Sequence, residues 1–384
     1  MYLSKVIKVG LSLSLLALLM PVSLANAEVR GEAVIRDSSP GLSDELSISL
    51  TMPILGSSHT YEGWLVSDDG HTALSVGEFD QGADGSVSHT YISPDGTNLA
   101  SEYSEFQIKD DSGDVLYSDS ISEGGLSHIR NLLFSHSGNP DYTSGAHEGV
   151  AKGTSVGLRD QADAALLHAT NGVGSTTLSD VQLHAGHVIN IIEGDDGDNF
   201  VADAGSSGDG HGLLNYAAAA SAEGKAVAAS DSSDATFASH ESAVSASADN
   251  VATWAASARD AAISARSATT LGVASAFITN AETLLGRAVS GFDTDRDGSV
   301  GAGEGGALQA HAGAQNMATY EPTVVAIVEL VEVEVEVEVE VEVEVEAPDT
   351  GDINYGLLAI ISLVAGAALV TGGGFLLNRN RSAA

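Results

Sequence analysis

The stretch TLGVASAFITNAETLLGRAVSGFDTDRDGSVGAGE, residues 270–304, decides how the second half of the chain is read. Residues 270–292 place Phe277, Ala281, Leu284, Leu285, Ala288, Val289 and Phe292 at three-and-four spacing, which predicts one apolar face of a helix. The sequence then turns acidic: Asp293, Asp295 and Asp297 alternate with Thr294 and Arg296, Gly298 follows, and Glu304 closes the segment. A hard divalent cation such as calcium takes six to eight oxygen ligands, so spaced carboxylates on a tight turn are what it needs. Gly298 permits a sharp turn within the segment. A second helix is expected over residues 307–317.

Helix, acidic loop and helix together resemble the EF-hand, whose signature is matched at every position from Asp293 to Glu304. The resemblance implies calcium as the ligand, held by the Asp293, Asp295 and Asp297 carboxylates, the Ser299 backbone carbonyl and both carboxylate oxygens of Glu304, with water in the place of Gly301 and Val300 facing inward. No second loop of this spacing occurs, because the acids of 195–198 and 209–210 are wrongly spaced, and an unpaired site outside a cell is expected at the weak end of affinity, on the order of 0.1–1 mM.

Helical periodicity extends upstream. It predicts helices over 157–170, 177–192, 213–230 and, as one element or two, 232–268. Thr177 with Asp180 forms a variant capping box and Gly194 a stop. The segment 194–212 is rich in Gly, Asp and Ser and is expected to be mobile. Residues 126–322 thus read as a helical bundle with small alanine cores.

Before residue 125 the period changes to two. Leu46, Ile48, Leu50 and Met52 line one face, Val87, His89 and Tyr91 another, and Phe106 and Ile108 a third. Asp69-Gly70, Asp84-Gly85, Asp95-Gly96 and Ser112-Gly113 punctuate these runs as turns. Residues 28–125 therefore predict an antiparallel β-sandwich, with Tyr61 and Trp64 expected in its core. Tyr61-Glu62-Gly63-Trp64-Leu65, Ser75-Val76-Gly77-Glu78-Phe79 and Asp84-Gly85-Ser86-Val87 resemble the extracytoplasmic domain of anti-sigma-K factors. The resemblance covers about a quarter of the chain and implies the fold. It does not extend to anti-sigma activity: a leader runs straight into the β segment, and the seven residues 378–384 are too few for a sigma-binding domain.

The two ends point to a compartment. Lys5 and Lys8, the apolar run 11–19 and Ala25-Asn26-Ala27 predict a signal peptide over 1–27. Residues 355–377 carry no charge and are long enough to span a bilayer, and Arg379 and Arg381 follow, so the body is expected outside. Ala347-Pro348-Asp349-Thr350-Gly351, the apolar run and the basic tail resemble a sortase sorting signal in Pro348, Thr350 and Gly351, although Ala347 replaces the usual leucine. The segment 348–384 thus predicts either cleavage after Thr350 and a cell-wall link, or a retained transmembrane helix. Between body and anchor, 323–347 contains a Val-Glu alternation over 331–346, expected to be an extended acidic spacer reaching roughly 53 Å.

The overall fold class is therefore multidomain α+β. Zero cysteines among 384 residues exclude disulfides, iron–sulfur clusters and Cys-based zinc sites. A net charge of −38 argues against nucleic acid, whose phosphates call for a basic surface. No phosphate-loop Gly-Lys-Ser/Thr occurs, and His147-Glu148 and His240-Glu241 lack the second zincin histidine because Ala151 and Val244 stand there, so no enzyme is expected. His184 and His187 share a helical face, with His168 ending the helix before and His240 opening a later one. If these four converge they would offer imidazole to a transition metal or a haem iron, the alternative to packing in a polar seam. The sequence thus predicts a surface-anchored calcium-binding structural or interaction protein, with a transition-metal or haem protein as the alternative.

Overall fold

A computed structural model describes residues 11–16, 29–54, 59–144, 147–205, 207–301, 303–325 and 334–339. The chain forms two compact units, 21–329 and a smaller one built from its two ends, 1–20 and 330–384.

In the smaller unit β1 (Leu11–Leu16) pairs antiparallel with β11 (Glu334–Val339). The Leu-Ser alternation matches the Val-Glu alternation, setting Leu11 opposite Val339 and Ser12 opposite Glu338. The unpaired spacer expected from the sequence is thus a paired strand over 334–339. Pairing satisfies backbone donors and acceptors that a lone strand leaves open. The rest of the leader, the sorting-type motif 347–351 and the apolar run 355–377 lie outside the described residues. Among the described residues no helix is long and apolar enough to cross a membrane.

The larger unit opens with strands β2 (Arg30–Arg36), β3 (Glu45–Thr51), β4 (Tyr61–Ser67), β5 (Ala73–Glu78) and β6 (Ser86–Ile92). A single turn of helix, α1 (Leu99–Glu102), precedes β7 (Tyr103–Asp110) and β8 (Val115–Ser120). The alternation seen in the sequence is the burial pattern: Leu46, Ile48, Leu50 and Met52 are buried, as are Phe106 and Ile108. Gly70, Gly85, Gly96 and Gly113 take left-handed φ of 70°, 86°, 72° and 87°, which a side chain would resist. Trp64 departs from expectation. It lies half-buried, out of alternation with buried Tyr61, Gly63 and Leu65, beneath Lys109 Nζ at 4.4 Å from the ring centroid. Period two puts its side chain on the face opposite theirs.

Helices α2 (Glu123–Leu133), α3 (Thr154–Gly174), α4 (Leu178–Glu193), α5 (Leu213–Ser230), α6 (Ala235–Ser267), α7 (Leu271–Ser290) and α8 (Ala307–Met317) follow. Thr177 caps α4 by accepting the Asp180 N–H, and Gly194, at φ 83°, ends it. The segment 232–268 resolves into one helix of 33 residues, started by the Asp234 carboxylate accepting from Thr236 N and Phe237 N. Its buried residues Val244, Ala248, Val251, Ala255, Ala258, Ala262 and Ala265 recur at four-three spacing, so α6 lies closely along α5, α7 and α8 through small side chains. On α7 the expected Ala281, Leu285 and Ala288 are buried, joined by Ala274 and Ile278, whereas Phe277 and, just beyond the helix, Phe292 are exposed. The bulky residues gave the misleading signal, because the facing surface of α6 admits small ones.

After α8 the chain returns to the sheets. β9 (Thr319–Tyr320) pairs with β2, and β10 (Thr323–Val324) pairs with β8. The fold is thus α+β with two antiparallel sheets, one ordered β10-β8-β7-β4-β5 and one β6-β3-β2-β9. The strap 319–325 supplies one edge of each. Residues of both sheets and of the helices share one buried apolar cluster.

Close packing makes Gly157 specific. A Cβ there would fall within the Tyr216 ring, itself fully buried and held by its hydroxyl donating to Asp209 Oδ2 at 2.8 Å. Alanine gains about 1 kcal/mol of helix propensity, but overpacking costs about 1–3 kcal/mol. Gly157→Ala should therefore lower the midpoint of chemical denaturation; an unchanged or higher midpoint would mean that the ring moves aside freely.

Candidate metal centres

The acidic loop joins α7 to α8. Asp293, Asp295 and Asp297 come together, a carboxylate oxygen from each lying within 4.8 Å of the other two. The turn that gathers them is made by Arg296 at φ 62° and Gly298 at φ 95°. Asp293 accepts from Arg296 N at 2.6 Å and Gly298 N at 3.0 Å, and Asp297 accepts from Ser299 N and Oγ. Glu304 turns back over the loop. It accepts from Thr294 N, the Thr294 hydroxyl, Asp295 N and Gly301 N. These bonds, those from Thr294 foremost, hold its carboxyl down at about 2, so it is ionised at neutral pH. The ends of the loop are joined by Phe292 N donating to Glu304 O at 2.9 Å. Asn250 of α6 holds the exit by donating to Gly303 O and Gly305 O.

The second centre lies between α3 and α4. His168 Nδ1 is 3.3 Å from His184 Nδ1 and 3.1 Å from His187 Nδ1. His187 Nε2 lies 2.8 Å from Ala204 O, a carbonyl that can only accept, so in the neutral imidazole this nitrogen carries the proton and Nδ1 the lone pair. Burial and the neighbouring His187 and His184 hold the His168 imidazole down at about 4; burial and His187 likewise depress His184. His240 does not join them. It sits near the start of α6, with Glu32 and Arg36 as its charged neighbours.

Two residues that the sequence reading passed over build this centre. Asn190, buried one turn beyond His187, donates to Val201 O and Gly205 O and accepts from Val201 N. It thereby fixes the segment that presents Ala204 O. Arg266 adds a bond to Asp203. The segment 194–212, expected to be mobile, is thus extensively hydrogen-bonded: Asn199 also donates to Glu193, and Asp195 N to Gly210 O. An asparagine inside the apolar run Val188-Ile189-Asn190-Ile191-Ile192 was the available clue, since a buried amide must find partners.

A buried polar chain connects the sheets to the helices. Ser155 Oγ donates to Leu132 O at 2.8 Å and lies 2.9 Å from His311 Nδ1, and His311 Nε2 is 3.0 Å from Asp37 Oδ2. Asp37 also accepts from Gly41 N and Ser43 N and lies 3.5 Å from Arg159 Nη1. Burial alone would raise its carboxyl, but His311 and the two backbone donors outweigh it and hold Asp37 at about 2. Ser155 and His311 are buried, and the chain ties α3, α8 and the turn after β2.

Comparison with protein-family models, with curated proteins and with solved structures returned no match.

Proposed function

We propose that the chain is an exported calcium-binding structural or interaction protein held at a cell surface. The observation that carries this reading is the gathering of Asp293, Asp295 and Asp297 on a left-handed turn between two helices, with Glu304 folded back over them. A divalent ion there would offset the mutual repulsion of four carboxylates in a strongly acidic chain and fix α8 against α7. Because α8 leads into the strap, the ion would also support the edges of both sheets, taken here as the layers of a β-sandwich. The leader and the apolar run 355–377 support export and tethering, by a retained membrane helix or through the sorting-type residues Pro348, Thr350 and Gly351 to a cell wall.

Calcium at 10 mM should raise the unfolding free energy by about 1.4–2.7 kcal/mol if affinity lies in the range expected of an unpaired extracellular site. Glu304→Ala and Asp293→Ala should each abolish that shift. Equal calcium-induced shifts in wild type and both variants would refute the assignment.

A further inference from the structure

We infer that His168, His184 and His187 form a three-imidazole site for a borderline divalent transition metal, zinc or copper, bound through Nδ1 and separate from the calcium loop. One spacing decides this. Four ligands around a metal with bonds of 2.0–2.1 Å stand roughly 3.3 Å apart at the corners of a tetrahedron. The two Nδ1 pairs measured, 3.3 Å and 3.1 Å, fit such an edge. Each of the three residues also offers a ligand atom within 4.8 Å of the other two.

Proton counting supports a cation. In the neutral imidazole the single proton of His187 belongs on Nε2, facing Ala204 O, and Nδ1 then presents a lone pair to His168. His168 Nδ1 faces two nitrogens at once. A single proton there can be directed well at one of them, which leaves the other contact poorly satisfied. A metal ion accepts all three lone pairs together.

The surroundings are those of an organised site. A carbonyl on the non-ligating nitrogen of a metal-binding histidine sets its tautomer and ring angle. Here Ala204 O has that position, and Asn190, itself buried, holds its segment by three hydrogen bonds. Gly186 lets the segment approach, since a Cβ there would meet Ala204 Cβ at 2.6 Å. Three imidazoles and no carboxylate in the group favour a nitrogen-seeking ion over calcium. The convergence of three nitrogens on one point suits a single ion and not the plane of a haem. All three histidines are only half-buried, so the fourth position opens toward solvent and would hold water or an external ligand.

The test uses the full chain, stripped with chelator and returned to millimolar calcium, titrated with zinc against a chromophoric competitor and with cobalt by visible spectroscopy. The expected result is one zinc per chain and the intense visible bands of tetrahedral cobalt. His168→Ala and His184→Ala should each weaken zinc binding more than about 100-fold and remove the bands. Asn190→Ala should weaken binding about 10–100-fold, as loss of an orienting partner does. His240→Ala should leave binding unchanged. Calcium-induced stabilisation retained in the histidine variants would show that they remain folded. Wild type without stoichiometric zinc, or His168→Ala binding as tightly as wild type, would overturn the inference while leaving the calcium reading intact.

Discussion

Replacing Asp37 with alanine should lower the stability of the larger unit by about 3–5 kcal/mol, a fall in melting temperature on the order of 10 °C. The carboxylate is the partner of His311 at 3.0 Å and of Arg159 at 3.5 Å, and it accepts the N–H groups of Gly41 and Ser43. Its removal leaves a guanidinium, an imidazole and two backbone donors with little access to water, and an unmade buried bond costs more than a made one gains. The acid limb carries a second signature. Asp37 is held at about 2 against an ordinary 3.8, so its contribution is complete above the ordinary value and disappears as pH falls through about 2. Between those limits the wild type should lose stability more steeply than Asp37→Asn. Thermal melts across pH 2–7 measure both effects; a variant within 1 kcal/mol of wild type at neutral pH, or parallel acid limbs, would remove Asp37 as the tie between sheets and helices.

Truncation of Tyr320 to alanine should cost about as much, in the 3–5 kcal/mol range for large buried aromatics. The ring is fully buried, its centroid 6.1 Å from that of Phe106, and its residue pairs with Ala33 of β2. The loss should be local as well as global. Hydrogen exchange should accelerate first at Ile35 N, which donates to Ala318 O, and at Val325 N, which donates to Leu116 O. Uniform acceleration across the helices, with these amides no faster than the rest, would show that the strap has no separate stability.

Much of this organisation was legible in the sequence wherever the determining interaction is local. The helix 213–230 and the helix 307–317 have the bounds expected, and the four turn glycines have the backbone that their Asp-Gly or Ser-Gly pairs imply. The acidic loop is legible because its residues are near neighbours in the chain. The histidine group was half legible: His184 and His187 share a face by helical spacing, but inclusion of His168 and exclusion of His240 depend on which helices pack together. Asp37 and His311 stand 274 positions apart, and no periodicity links them. Helix faces were misjudged where size competed with position. On α7 Ala281, Leu285 and Ala288 are buried as expected, but bulk drew attention to Phe277, which is exposed, and away from Ala274 and Ile278, which are buried. The Ala204 carbonyl could not be foreseen, since backbone atoms leave no mark in side-chain patterns.

The strap also sets how the larger unit would carry a pull. Tension applied to the chain beyond Val325 meets β10 and then β9 before it can reach α8. The load is thereby met by two sheet edges in turn, one held against β8 and the next against β2. Glu321 N, donating to Asp119 Oδ2, clamps the point where the two meet. The helices, with the acidic loop and the histidine group among them, sit behind this clamp, shielded from drag on the tail until both short strands have been stripped away.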